Sequence, residues 1–277
     1  MNTSASNSTS VVGLYQQGVM IITVSYAVNL ILTLPANGYV LWIIANGARG
    51  TMVAEFFTLN LAVCDILFCL FSVFYAVGIS IQIPVVSYLG RFGLGFLCAG
   101  RPLFQGCVSV ERHLAVIHPV TFLKYKPLRY RAGCCGAIWF MIFLYSLFYS
   151  FLTGIYSTIY YYVVLAQSLA LMSLMLFCCL SVLRVLEQPG PGDGDRDREK
   201  EARNVKLKAF NIILFNVVLT MSCYLPIFVA VCLYAAIAPG LWFFIYSISL
   251  SVALINGIVQ PLFYLHRARK LPCSNSC

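Results

Sequence analysis

Seven apolar stretches, each long enough to cross a lipid bilayer, occupy most of this chain. They run over residues 18–45, 56–80, 85–117, 133–154, 158–186, 204–236 and 240–265. Each supplies the ~20 apolar residues that ~30 Å of hydrocarbon requires at ~1.5 Å per residue. Lipid offers no hydrogen bonds, so the backbone must satisfy its own, and the stretches are expected to be helices. They are too long and too uniformly apolar for the ~10-residue alternating strands of a membrane barrel. Hydrophobic residues make up 61% of the chain and charged residues 10%, against about 25% charged in a soluble domain. The expected fold is an all-α membrane protein, a single domain over 1–277 built as a seven-transmembrane helix bundle.

Charge orients the bundle. Basic residues gather in three places: Lys124, Lys126, Arg129 and Arg131; Arg196, Arg198, Lys200, Arg203, Lys206 and Lys208; and Arg267, Arg269 and Lys270. The positive-inside rule predicts that all three are cytosolic. Seven spans then put the N-terminus outside and the C-terminus in the cytosol. Residues 1–17 are the expected extracellular tail, with sequons at Asn2 and Asn7, and 266–277 the cytosolic tail. The first stretch is expected to serve as its own insertion signal. The net charge of +9 is read as topology, and no nucleic-acid partner is expected. The Pro/Gly-rich, mixed-charge segment 187–203 reads as a solvated cytosolic linker.

Ten of the twelve cysteines fall within the stretches, at spacings unlike a zinc site. No metal and no cofactor is expected. Cys273 and Cys277 in the tail are candidate palmitoylation sites or simple free thiols.

Polar residues inside a membrane cost about 2.5–3.5 kcal/mol per charge, so each one points to function. Asp65 lies ten residues from Glu55, Arg101 eleven from Arg112, Asn256 ten from His266 and Asn37 twelve from Arg49. At ~1.5 Å per residue all four sit ~15–18 Å deep. One polar layer near the midplane is expected, with Asp65 and Arg101 neutralising each other.

The order and spacing of several short motifs are similar to those of the rhodopsin-like (class A) G-protein-coupled receptors. The residues are Asn37; Leu61-Ala62-Val63-Cys64-Asp65; Glu111-Arg112-His113-Leu114-Ala115-Val116 with His118-Pro119; Trp139; Cys223-Tyr224-Leu225-Pro226; and Asn256 with Gln260-Pro261-Leu262-Phe263-Tyr264. The resemblance implies a plasma-membrane receptor that is not an enzyme, with a heterotrimeric G protein, membrane lipid and an extracellular ligand as partners. It implies that Arg112 is held at rest by Glu111 and turns to the G protein on activation. It implies a pivot at Pro226, an aromatic toggle at Tyr224, and a mobile Tyr264 after Pro261.

The chain also departs from that family. Ser87 stands at the place of the usual outer cysteine, and the Leu152–Thr158 loop has no Cys, so the usual outer disulfide is absent. Gln260 replaces the usual Asn or Asp, and Lys206 stands where many members have an acid. Arg101 stands where the family has a Ser lining a sodium site with Asp65, so a guanidinium is expected in place of the ion. No acid lies on the outer side, and Arg91 is the only outer basic residue. Tyr156, Tyr160, Tyr161, Tyr162, Trp242, Phe243 and Phe244 are expected to surround it. Arg91 either reaches to lipid headgroups or binds a small or lipid-like anion. A transporter or channel and a non-signalling receptor-like partner protein are the alternative functions. The first needs a polar path and an inverted repeat. An intramembrane enzyme needs a catalytic pair that is not in the sequence.

Overall fold

The computed structural model describes residues 2–47, 55–81, 83–125, 127–152, 157–187, 196–234 and 236–270. Within them lie helices α1 (Asn2–Asn46), α2 (Phe56–Ile81), α3 (Pro84–Gly95), α4 (Arg101–Ile117), α5 (Pro119–Tyr125), α6 (Leu128–Leu152), α7 (Ser157–Glu187), α8 (Arg196–Cys232) and α9 (Pro239–Lys270). A π-helical turn, Phe96–Gly100, joins α3 to α4. Six of the helices, α1, α2, α6, α7, α8 and α9, are long and apolar enough to cross a membrane.

The third apolar stretch is the interrupted one, and Pro102 explains the interruption. A proline has no N–H to donate and its ring crowds the carbonyl four residues back. Widening the preceding turn relieves that crowding, and the Arg101 N–H donates to the Phe96 carbonyl, five residues back. In that wide register the Leu97 carbonyl would wait on the missing Pro102 N–H. Tyr224 supplies the donor instead: its hydroxyl bonds the Leu97 carbonyl at 2.8 Å.

Two boundaries differ from expectation. The tail 1–17 is helical from Asn2, and the membrane-length part of α1 starts at Val12. No proline stands before Pro35, so the helix runs on toward the terminus. In the linker 187–203, helix α8 already begins at Arg196. Arg, Glu, Lys and Ala dominate that half and are strong helix formers, so charge there does not mean coil.

The α3–α4 stretch is the axis of the bundle. It packs on α2, α6, α7 and α8, while α9 closes the ring against α1 and α8. Glycines set the closest approach. A side chain at Gly90 would run into the backbone of Tyr75, and one at Gly93 into Phe71. A side chain at Gly95 would meet Ser146 on α6. Trp139 fastens α6 from the other side: its indole N–H donates to Asn60 at 2.9 Å, and its ring lies 5.6 Å from Phe104 and 6.2 Å from Phe96. Met20, Ile31 and Trp42 on α1 and Phe140 and Phe143 on α6 face outward, as lipid-facing side chains do. No disulfide joins the described cysteines.

Gly90→Val should therefore prevent proper packing of α3 on α2 and reduce cell-surface expression severely. Gly133→Val, where nothing lies within 4 Å of a new Cβ, should be tolerated. Flow cytometry of tagged chains compares the two directly, and equal surface levels would refute the packing argument.

Candidate functional site

At the heart of the bundle, the structure brings Asp65 and Arg101 together. Arg101 is 0% exposed and Asp65 1%. The Arg101 Nε donates to Asp65 Oδ1 at 2.7 Å, and Nη1 donates to the Ala253 carbonyl on α9 at 3.2 Å. The Phe68 ring lies 5.8 Å from the guanidinium. Gly257 makes the space: a Cβ there would sit 2.6 Å from Arg101 Nη2. Arginine does not lose its proton in proteins, so the carboxylate beside it is the least costly neutraliser. The guanidinium is thus an internal cation tethered to the backbone of the third stretch.

Among the described residues, Asn37 and Asn256 hydrogen-bond to groups other than this pair. Asn37 Nδ2 donates to the Thr33 carbonyl at 3.0 Å and to the Gly257 carbonyl at 3.3 Å, joining α1 to α9. Asn256 belongs to a second cluster, built on Gln105. Gln105 Nε2 donates to Asn256 Oδ1 at 3.0 Å and to Gln260 Oε1 at 2.7 Å, while Thr220 Oγ1 donates to Gln105 Oε1 at 2.9 Å. One side-chain amide thereby ties α4 to both α8 and α9. Gln105 was missed in the sequence, although it stands four residues from Arg101 and so on the same helix face.

The ends of the bundle hold the remaining residues. At one end, Arg112 does not pair with its neighbour Glu111. Adjacent residues on a helix point about 100° apart and do not face each other. Glu111 accepts from Arg131 of α6 at 2.6 Å, and Arg112 Nη2 donates to Glu55 Oε1 at 3.1 Å. The same Glu55 oxygen accepts from Arg267 of α9 at 2.7 Å, and Glu55 Oε2 accepts from Thr58 at 3.0 Å. The Arg267 guanidinium also lies 5.7 Å from the ring of Tyr264, which packs with Val40, Ile44 and Ala62. His113 lies beside His118 and Phe177. Pro226 and Pro261 stand inside α8 and α9.

At the other end, the ring against Arg91 is one outside the expected surround. Arg91 lies over Tyr88 of its own helix at 4.7 Å, and its Nε reaches the Ser87 carbonyl at 3.4 Å. Trp242 and Phe243 line a different cavity, and Tyr162 points outward. The side chains of Tyr156, Tyr160 and Tyr161 lie outside the described residues, as do those of Asn2, Asn7, Cys273 and Cys277. Among the described residues, no three His, Cys, Asp or Glu side chains gather to hold a metal.

The buried pair makes a test. Removing one partner leaves a bare charge in the bundle, at a cost of about 3–5 kcal/mol. Arg101→Ala and Asp65→Ala should each reduce surface expression sharply, and the double variant should recover much of it. Single losses that add in the double would refute the coupling.

A sequence profile of the rhodopsin-family seven-transmembrane receptors matches residues 36–159. That stretch contains Asn37, Asp65, Arg101, the Glu111-Arg112-His113 triplet and Trp139. Proteinase-activated receptor 3 of Homo sapiens is 28% identical over 44% of this chain and 34% of its own length. Somatostatin receptor type 5 of Rattus norvegicus is 31% identical over 46% of this chain and 37% of its own. C-X-C chemokine receptor type 1 of Mus musculus is 32% identical over 46% of this chain and 36% of its own. The chain spans about a third of the length of these relatives. The multi-pass helical bundle, the Asp65 and Arg112 motifs and these matches all support a likeness of this chain to the rhodopsin-family seven-transmembrane receptors.

Proposed function

We propose that this chain is a plasma-membrane receptor that passes an extracellular ligand signal to a heterotrimeric G protein through its Arg112 end. The basic residues around Arg112, which the positive-inside rule assigns to the cytosol, support that orientation. The observation that carries the reading is the clamp on Glu55. One carboxylate holds Arg112 from the third stretch and Arg267 from α9, so the cytosolic ends of α2, α4 and α9 are tied at a single oxygen. Arg112 stays partly exposed there, ready for another acceptor once the clamp loosens.

A second set of bonds bears on the same switch. Thr220 and Tyr224 both lie on the Arg112 side of Pro226 in α8. Thr220 holds Gln105 and Tyr224 holds the Leu97 carbonyl. Proline weakens the helix locally and favours a bend. An outward swing of this half of α8 about Pro226 breaks both bonds, each a net ~0.5–1.5 kcal/mol. The resting state is held by a few weak ties, which a ligand of ordinary affinity can outweigh. The ligand fits the charge of the outer end: no carboxylate faces outward, and Arg91 stands there. An anionic, lipid-like ligand is the reading that this balance favours.

Arg112→Ala should reach the cell surface and abolish G-protein dissociation. Undiminished dissociation at matched expression would sink the proposal. Glu55→Gln should raise basal dissociation about two- to fivefold, since a partly exposed ion pair contributes ~0.5–1 kcal/mol. Glu111→Gln should act instead on the joint between α4 and α6, because its partner is Arg131. Basal signals from the three variants, normalised to surface level, separate these roles.

A further inference from the structure

Two cavities open beside the first helix at the Arg91 end. One, of about 500 Å³, is lined by Gln16, Ser87, Arg91, Gly78 and Tyr15. The other, of about 670 Å³, is lined by Val12, Tyr234, Pro239, Gly240, Trp242, Phe243 and again Tyr15. The Tyr15 ring stands between them and stacks on Phe243, with centroids 4.7 Å apart. Tyr15 and Val12 are about half exposed, so both chambers reach the outer flank of the bundle. By contrast, the cavity beside Tyr224, between α7 and α8, holds about 20 Å³, room for about one water.

We propose that these chambers form one divided site for a single-chain amphiphile with an anionic head. The head lies on Arg91 and the tail lies in the aromatic chamber past Tyr15. This rests on the receptor reading above and gives its ligand a place and a chemistry. Three observations support it. The first chamber contains a cation that meets no carboxylate among the described residues; its bond to the Ser87 carbonyl is a long one within its own helix. A guanidinium with free donors suits a phosphate or carboxylate. The second chamber carries no charge, and its walls are Val, Pro, Gly, Trp and Phe with one Tyr besides Tyr15, suited to hydrocarbon. Finally, the partition is a single half-exposed ring, which can turn aside for a chain entering from the membrane. A head group alone leaves the larger chamber empty, and a neutral lipid leaves Arg91 unanswered.

The test uses the full chain in nanodiscs with tritiated dodecyl phosphate as probe. Saturable binding is expected, displaced by unlabelled dodecyl phosphate and not by dodecyltrimethylammonium. Arg91→Gln should weaken binding about tenfold, the scale of one lost charged hydrogen bond, and Arg91→Lys should restore much of it. Gly240→Leu, which fills the aromatic chamber, should weaken dodecyl phosphate and spare butyl phosphate as a competitor. Absence of saturable binding, displacement by the cationic amphiphile, or indifference to Arg91→Gln and Gly240→Leu would overturn the proposal. Binding at Arg91 without G-protein dissociation in cells would defeat the receptor reading and leave the site standing. Dissociation driven by a ligand indifferent to both variants would defeat the site and leave the receptor reading intact.

Discussion

A permanent positive charge in the middle of a bilayer-length bundle must be neutralised or the fold does not form. Arg101 cannot lose its proton, and lipid offers it nothing. Its surroundings are arranged accordingly. Asp65 on α2 supplies the opposite charge, the Ala253 carbonyl on α9 takes a second donor, and Gly257 omits a side chain so that the guanidinium can lie between them. Three elements distant in the chain are thereby fixed against each other. The clusters beyond it, Asn37 on one side and Gln105 on the other, continue from that centre through neutral amides.

The rest of the helix packing gains its closeness from what is missing. Gly90, Gly93 and Gly95 let α3 lie against α2 and α6 at backbone distance. No disulfide joins the described cysteines, so the joint between α2 and α3 relies on van der Waals contact over several turns. Such contact is individually weak and collectively large. Against that close-packed part stands α8, whose ties to the third stretch include two side-chain hydrogen bonds near Pro226. Rigid packing on one side and few polar ties on the other allow one helix to move while its neighbours hold still.

Much of this was legible in the residues because membrane physics leaves few choices. Apolar length marked the helices, and counting ~1.5 Å per residue from charged residues at the ends put Asp65 and Arg101 at matching depth. Depth is only one coordinate, however. It could not say which way a residue faces, so Asn256 was grouped with the ion pair although it meets Gln105 instead. The pairing of Arg112 with Glu111 came from the family resemblance, whereas here Glu111 is taken by Arg131. Glu55, the actual partner, sits 57 residues away, and only the packing of α2 on the third stretch brings it near. The described members of the surround expected for Arg91 lie on two other helices: Tyr162 on α7 points outward, and Trp242 and Phe243 on α9 line a different cavity.

The wide turn at Phe96–Gly100 has a consequence for numbering itself. A π-turn takes up one more residue than the α-helical turn it replaces. Beyond it, counting along the chain from Arg112 and counting in space disagree by one position, or about 100° of azimuth. A relative with an uninterrupted third helix therefore superposes Val86, rather than Ser87, on the residue its own count would select. Every side chain from Pro84 to Gly95 carries that phase slip, and alignments across the turn need a one-residue gap to compare like faces.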